Sequence, residues 1–124
     1  HVLNLGHTYL VATWLEQGGA GAPLVREELA NPAVRADLEG LYRDEVLPVF
    51  SAAGHGAVAS AYVLTTLERF ANPFLDHRLS DIAQNHAEKV RRRIEALLKR
   101  AEALNLDLPA PRLRAVVART GPSA

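Results

Sequence analysis

Apolar residues recur along this chain at steps of three and four positions, which is the spacing of one face of a helix. In the first segment Leu3, Leu10, Val11 and Trp14 follow this spacing. The sequence GGAGAP at positions 18–23 should end that segment, because no helix continues through so many glycines and a proline. A first helix that stops near position 17 is therefore expected.

The next segment, NPAVRADLEGLYRDEVLP, indicates a capped helix. Asn31 is a favourable N-cap and Pro32 suits the first helical turn. Pro48 is expected to end or bend this helix, because proline lacks the backbone N–H group. The predicted apolar stripe consists of Val34, Leu38, Leu41, Tyr42 and Val46.

Three further helices are predicted in the second half of the chain. After a turn at positions 54–56, the stretch AVASAYVLTTLERFA has Val58, Tyr62, Leu67 and Phe70 among its apolar positions. The clearest helix spans positions 87–104, and a short last helix follows LPAP. Alternating strand patterns of useful length are missing, so the predicted fold class is all-α. The stripe of the long helix is Val90, Ile94, Leu97, Leu98, Ala101 and Leu104.

Length and composition argue for a single globular domain and against several other classes of protein. The 124 residues suit a single domain. Fourteen basic and fourteen acidic side chains leave no net charge, which argues against a nucleic-acid partner. No cysteine is present, and no apolar run has the roughly 20 residues that a membrane helix needs. We therefore expect a cytoplasmic domain. Because the chain begins with His1 and contains no methionine, we also expect it to be a piece of a longer protein.

Most of the polar side chains that could carry chemistry have an ordinary explanation. The five histidines do not form H-E-x-x-H and have no cysteine beside them, so no metal site is predicted. His55 lies in a glycine-rich turn and is interpreted as a solvated loop residue. The arginine run at 91–93 is interpreted as a solvated helix face. No strand is followed by a glycine-rich phosphate loop, so the chain has no dinucleotide site of its own.

Asn4 and His7 are the better candidates for a functional site. Three residues apart on a helix, they project from nearly the same face. A side-chain amide and an imidazole together can hold a carbonyl or alkoxide oxygen, which an enzyme acting on carbonyl groups requires.

Four stretches of the chain carry a family resemblance: LNLGHTYL, YRDEVLPVF, ERFANPFLDHRL and NHAEKVRRRI. Their order and spacing resemble the C-terminal domain of the long-chain mannitol dehydrogenases, which include polyol, fructuronate and tagaturonate (altronate) reductases. The resemblance extends to about Leu97. It implies a multi-helix substrate domain similar to the C-terminal domain of 6-phosphogluconate dehydrogenase. It also implies that residues 1–124 are one all-α domain, preceded in the whole protein by a Rossmann domain that holds most of NAD(H).

The resemblance assigns roles to individual residues. The family pattern K-x-x-x-x-N-x-x-H matches Asn4 and His7, and its lysine, the general base, would lie just upstream of His1. Asn4 would then polarise the reacting oxygen, and His7 would bind a substrate hydroxyl or orient the lysine. Lys89 matches a lysine that contacts the far end of the substrate, and His77 is a candidate carboxylate contact.

Two other residues of the family segment, Arg69 and Asn72, are interpreted as scaffold. The stretch NHAEK and the position of His77 are closer to the tagaturonate reductases than to the mannitol-type enzymes. The expected function is therefore interconversion of a keto-sugar acid and its aldonate with NAD, without a metal. A mannitol-type polyol 2-dehydrogenase domain and a non-enzymatic helical interaction module are the alternatives. The isolated chain, which lacks the base and the hydride acceptor's site, is expected to be inactive.

Overall fold

The computed structural model describes residues 2–18, 24–70 and 78–120. Within these ranges the chain forms nine α-helices and two π-helical segments. The α-helices are α1 (Val2–Glu16), α2 (Val25–Leu29), α3 (Pro32–Leu41), α4 (Leu47–Ala52), α5 (Gly56–Phe70), α6 (Leu79–Ile82), α7 (His86–Lys89), α8 (Ala96–Ala103) and α9 (Pro111–Thr120). The π-helical segments are Tyr42–Val46, between α3 and α4, and Val90–Glu95, between α7 and α8.

The predicted all-α class is confirmed. The described ranges contain no strand, and one isolated antiparallel bridge joins Leu24 to Arg78. None of the helices in these ranges is long and apolar enough to cross a membrane.

Helix α1 runs through the middle of the fold. It packs against α5, α6, α9 and the second π-helical segment. Its side chains are buried on more than one side, as expected for a helix that is apolar over most of its circumference. The helix ends at Glu16, close to the predicted position, and Gly18 follows with a left-handed φ of 80°. Buried side chains of α1 include Leu5, Thr8, Tyr9, Leu10, Val11 and Ala12.

The predicted cap of α3 is confirmed, because Asn31 Oδ1 accepts a hydrogen bond of 3.0 Å from the Ala33 N–H. Pro48, however, does not end the helix, which continues to Ala52. Just before Pro48 the backbone widens to π geometry, and the Leu47 N–H donates to the carbonyl of Tyr42, five residues back. This wider turn accommodates a residue that cannot donate to the helix, so the helix continues past Pro48 and does not end there.

Helix α5 has the predicted extent, but only part of its predicted apolar set is buried. Its buried residues are Ala59, Val63, Thr66 and Phe70. Val58 is 75% exposed and Tyr62 44% exposed, so two of the apolar positions named from the sequence lie outside the core. The sequence could not fix this rotation, because apolar residues surround most of the helix and tertiary packing decides which of them are covered.

The long helix near the C-terminus is confirmed as a continuous rod from His86 to Ala103, made of α7, the second π-helical segment and α8. Val90, Ile94, Leu98 and Ala101 are buried, as the predicted stripe requires. The predicted last helix is α9, which buries Leu113 and Val116.

Four polar side chains around the buried carboxylate of Glu45 hold α9 against the rest of the fold, and we name them the buried ion cluster after that residue: Tyr9, Asp37, Glu45 and Arg112. Arg112 Nε donates to Asp37 Oδ1 over 2.8 Å, and Arg112 Nη1 donates to Glu45 Oε2 over 3.1 Å. The Tyr9 hydroxyl donates to Asp37 Oδ2 over 2.5 Å. Glu45 also accepts from the backbone N–H groups of Arg112 and Leu113 at the start of α9. A carboxylate at this position satisfies N–H groups that have no partner within the helix.

Candidate functional site

The first turns of α1 are built so that aromatic side chains can approach the helix backbone between Asn4 and His7. A Cβ atom on Gly6 would overlap the Tyr42 hydroxyl and lie 3.0 Å from the Phe70 ring. The hydroxyl of Tyr42 contacts the Gly6 backbone, and burial raises the pKa of this phenol above its ordinary value. Glycine at position 6 therefore lets the first π-helical segment, through Tyr42, and α5, through Phe70, fix the segment that carries both predicted catalytic residues.

His7 is half-buried against the end of α5. Its ring lies 4.7 Å from the Phe70 ring, centroid to centroid, at an angle of 41°. This contact restrains the imidazole on one side of α1. The predicted role of His7 in binding or orienting substrate stays a prediction, and the packing provides the rigid support that such a role requires.

Asn4 is exposed and lines a cavity of about 530 Å³. This volume is within the range of small-molecule sites. The cavity has an apolar floor, and three arginines line it as well, so we name it the arginine cavity. Its lining residues are Asn4, Leu5, Val46, Val49, Phe50, Ala53, His55, Arg92, Arg93, Ala96, Leu97 and Arg100.

Arg93 connects the arginine cavity to the backbone of α1. Its Nη1 atom donates to the carbonyl oxygen of Asn4 over 3.3 Å and to Thr8 Oγ1 over 3.1 Å. Burial, and to a lesser extent the charge of Arg92, lower the pKa of the Arg93 guanidinium. The interpretation of the arginine run as a solvated face therefore holds for Arg91 and Arg92, which are exposed, and is wrong for the half-buried Arg93. The π-helical segment that contains Arg93 packs against α1, and this packing brings the guanidinium to Asn4.

His55 is exposed in the turn before α5, as the sequence predicted, but it also lines the arginine cavity. His55 therefore shares a cavity with the three arginines and is not an isolated loop residue. Arg69, interpreted as scaffold, is exposed in the last turn of α5.

Lys89 lies at the end of α7, one residue before the second π-helical segment. It is half-buried, and its ammonium donates to the carbonyl oxygen of Ile82 over 2.7 Å. An ammonium has three donors, so two remain for a substrate. Among the described residues no hydrogen bond joins Lys89 to Asn4. The substrate contact predicted for Lys89 stays a prediction, as does the one for His77, which lies outside the described residues together with Asn72.

A metal centre is not evident in this region. The described part of the chain contains no group of three or more histidine, aspartate and glutamate side chains that could hold a metal ion.

Comparison with known proteins bears directly on the resemblance seen in the sequence. The family model for the mannitol dehydrogenase C-terminal domain matches residues 1–120. The chain belongs to this family. No solved structure gives a significant match.

Curated relatives of this mannitol dehydrogenase C-terminal domain include several altronate oxidoreductases. The one from Halalkalibacterium halodurans is 37% identical over 95 residues, which are 75% of this chain and 17% of the relative. Those from Bacillus subtilis and Klebsiella pneumoniae are 32% and 34% identical over 108 and 112 residues. These matches cover 87% and 90% of the chain, and 21% and 22% of the relatives. The chain thus spans about a fifth of the length of these proteins.

Two features of this mannitol dehydrogenase C-terminal domain were not predicted from its sequence. The first is the contact of Arg93 with Asn4, which depends on how two helical segments 89 residues apart pack together. The second is the buried ion cluster, whose partners Glu45 and Arg112 are 67 residues apart. The sequence signal for both features is a charged residue, Arg93 or Glu45, at a position on the apolar stripe of its helix. A charged side chain at such a position suggests a buried partner.

Proposed function

We propose that this chain is the substrate-binding and catalytic C-terminal domain of an NAD-dependent oxidoreductase that interconverts a keto-sugar acid, tagaturonate or fructuronate, and its aldonate. The observation that carries the proposal is the similarity of most of the chain to altronate oxidoreductases, together with its membership of a dehydrogenase family. The arginine cavity beside Asn4 supports an anionic substrate, because guanidinium groups bind carboxylates strongly.

In this proposal NAD(H) is bound mainly by an N-terminal Rossmann domain of the same protein. The described ranges of this chain contain no strand that could lead into a glycine-rich phosphate loop, so we assign the dinucleotide site to that other domain. When bound to the rest of the enzyme, NAD(H) accepts or supplies the hydride. The part played by this chain is to hold and polarise the sugar acid.

Asn4 is the proposed electrophilic contact. Its exposed side chain at the edge of the arginine cavity can donate from the amide to the reacting oxygen, where negative charge develops. His7, one turn away and held against Phe70, would bind a neighbouring hydroxyl or orient the lysine base expected upstream. Such a lysine takes a proton near neutral pH only if burial or a neighbouring charge lowers its pKa.

A mannitol-type polyol 2-dehydrogenase is the second candidate, because the family is named for that activity. The two candidates differ in the charge of the substrate, and Lys89 distinguishes them. In the full-length enzyme, Lys89→Ala should lower kcat/KM for tagaturonate or fructuronate by roughly 10- to 150-fold, the value of one charge-assisted hydrogen bond. Turnover of an uncharged ketose such as fructose should fall far less.

The measurement is kcat/KM for both substrate classes with wild-type and variant enzyme. Equal losses on the acid and the ketose would favour the mannitol-type enzyme, in which the lysine meets only hydroxyls. A wild-type enzyme that reduces neither class of substrate would refute both candidates. Unchanged kcat/KM on both substrates would show that Lys89 only donates to Ile82.

A further inference from the structure

The arginines of this chain differ in whether a carboxylate neutralises them. Arg112 contacts Asp37 and Glu45, and Arg92 forms an ion pair of 3.0 Å with Glu88 on the helix surface. By contrast, no carboxylate of the described residues lies within 4.0 Å of Arg93 or Arg100. Both of these arginines line the arginine cavity. The cavity therefore carries positive charge that the described part of the chain does not compensate.

Arg93 is the better placed of the two cations. Its two hydrogen bonds to α1 both come from Nη1, so they fix the guanidinium and leave its other edge unused. Among the described residues neither Nε nor Nη2 of Arg93 has a hydrogen-bond acceptor. The Nε–Nη2 edge is a planar pair of donors whose spacing matches the two oxygens of a carboxylate.

The same contacts place the Arg93 guanidinium close to Asn4, the predicted catalytic residue. Arg93 donates to the backbone of Asn4, the residue whose side chain is proposed to polarise the reacting oxygen. A sugar acid has its carboxylate and its reacting carbonyl on one short carbon chain. A ligand that contacts the Asn4 side chain can therefore extend its carboxylate to a cation bound to the same residue. The apolar floor of the cavity can cover its C–H groups.

We propose that Arg93 binds the carboxylate of the substrate through its Nε and Nη2 atoms and so selects sugar acids over uncharged ketoses. This inference rests on the proposed function, and it adds a specificity-determining residue to the site. Lys89 remains a predicted second contact, but its ammonium already donates to the Ile82 carbonyl and cannot form a planar bidentate pair.

The test uses the full-length enzyme and measures kcat and KM for a keto-sugar acid and for fructose. Arg93→Gln should lower kcat/KM for the acid by roughly 10- to 150-fold more than for fructose, mainly through KM. Arg93→Lys keeps the charge but loses the paired donors, so it should restore part of this selectivity. Arg91→Gln is the matched control, since it changes an exposed arginine of the same run that does not line the arginine cavity. Its ratio of the two kcat/KM values should equal that of the wild type.

Equal losses on both substrates with Arg93→Gln would overturn the inference, because Arg93 would then act only by positioning Asn4. No loss on either substrate would also overturn it. These results are distinct from failure of the proposed function, in which the wild-type enzyme itself would not turn over a keto-sugar acid.

Discussion

The buried ion cluster and the arginine cavity each contain a partly buried arginine. In the cluster the arginine forms ion pairs with carboxylates, and in the cavity it forms none with the described residues. In the cluster, Arg112 is matched by carboxylates of the same chain, and Glu45, only 1% exposed, accepts three hydrogen bonds. In the cavity, both hydrogen bonds that Arg93 donates to described residues go to neutral oxygens, and no carboxylate of these residues lies within 4.0 Å of it. A charge that is fully paired within the chain has a structural explanation. The fixed charge of Arg93, which has no counter-charge among the described residues, supports the proposed ligand site.

The cluster also shows how much the fold depends on pairing. A buried carboxylate would be costly alone, and here it is stabilised by a guanidinium and by two backbone N–H groups at the start of α9. The groups that stabilise the buried Glu45 carboxylate, the Arg112 guanidinium and the backbone of α9, all belong to the folded core of the same chain. Substitutions in the cluster should therefore change stability, and substitutions in the cavity should change substrate use.

The strongest test of this contrast on the structural side is Glu45→Ala. It leaves Arg112 and the start of α9 without their shared acceptor, so the free energy of unfolding should fall by about 3–5 kcal/mol. The measurement is chemical denaturation followed by circular dichroism. Glu102→Ala, which changes an exposed glutamate of α8 that forms no ion pair with the described residues, is the control and should leave the midpoint unchanged. If both variants unfolded at the same denaturant concentration, the cluster would not be holding α9.

A smaller effect is expected from Tyr9→Phe at alkaline pH. Burial and the hydrogen bond to Asp37 raise the pKa of the Tyr9 phenol above its ordinary value of 10. Above about pH 10 the unfolded chain loses this proton while the folded chain keeps it, so stability falls as pH rises. Without Tyr9 the decline should be shallower by up to about 1.4 kcal/mol per pH unit. Denaturation curves from pH 9 to 11 measure how the free energy of unfolding depends on pH in the wild type and in Tyr9→Phe. Identical slopes in the two proteins would contradict the raised pKa of Tyr9.

Local signals in the sequence were enough to predict most of the helices. The glycines after α1 and the cap at Asn31 act within a few residues, so they could be recognised without knowledge of the fold. The π-helical turn before Pro48 and the rotation of α5, which buries Ala59 and Val63 rather than Val58, were not predictable in this way. Both depend on which surfaces meet in the folded chain.

The candidate site shows the same division. Asn4 and His7 were predicted as site residues from their spacing and from the family pattern, and the structure places Asn4 at a cavity. The contact of Arg93 with Asn4 was not predicted, because three consecutive arginines look alike in the sequence and packing against α1 distinguishes Arg93 from Arg91 and Arg92. Pairing across long sequence distances has no local signature, which is why Glu45 and Arg112 were missed as well.

The most direct test of the account is kcat of the full-length enzyme with Asn4→Ala, measured with a keto-sugar acid at saturating concentration. Removing one preorganised donor to a developing oxyanion should lower kcat by roughly 100- to 1,000-fold. Because Asn4 is exposed and its contact to Arg93 is through the backbone carbonyl, thermal stability should stay that of the wild type. A folded variant with near-normal kcat would contradict the claim that the chemistry takes place at this face of α1.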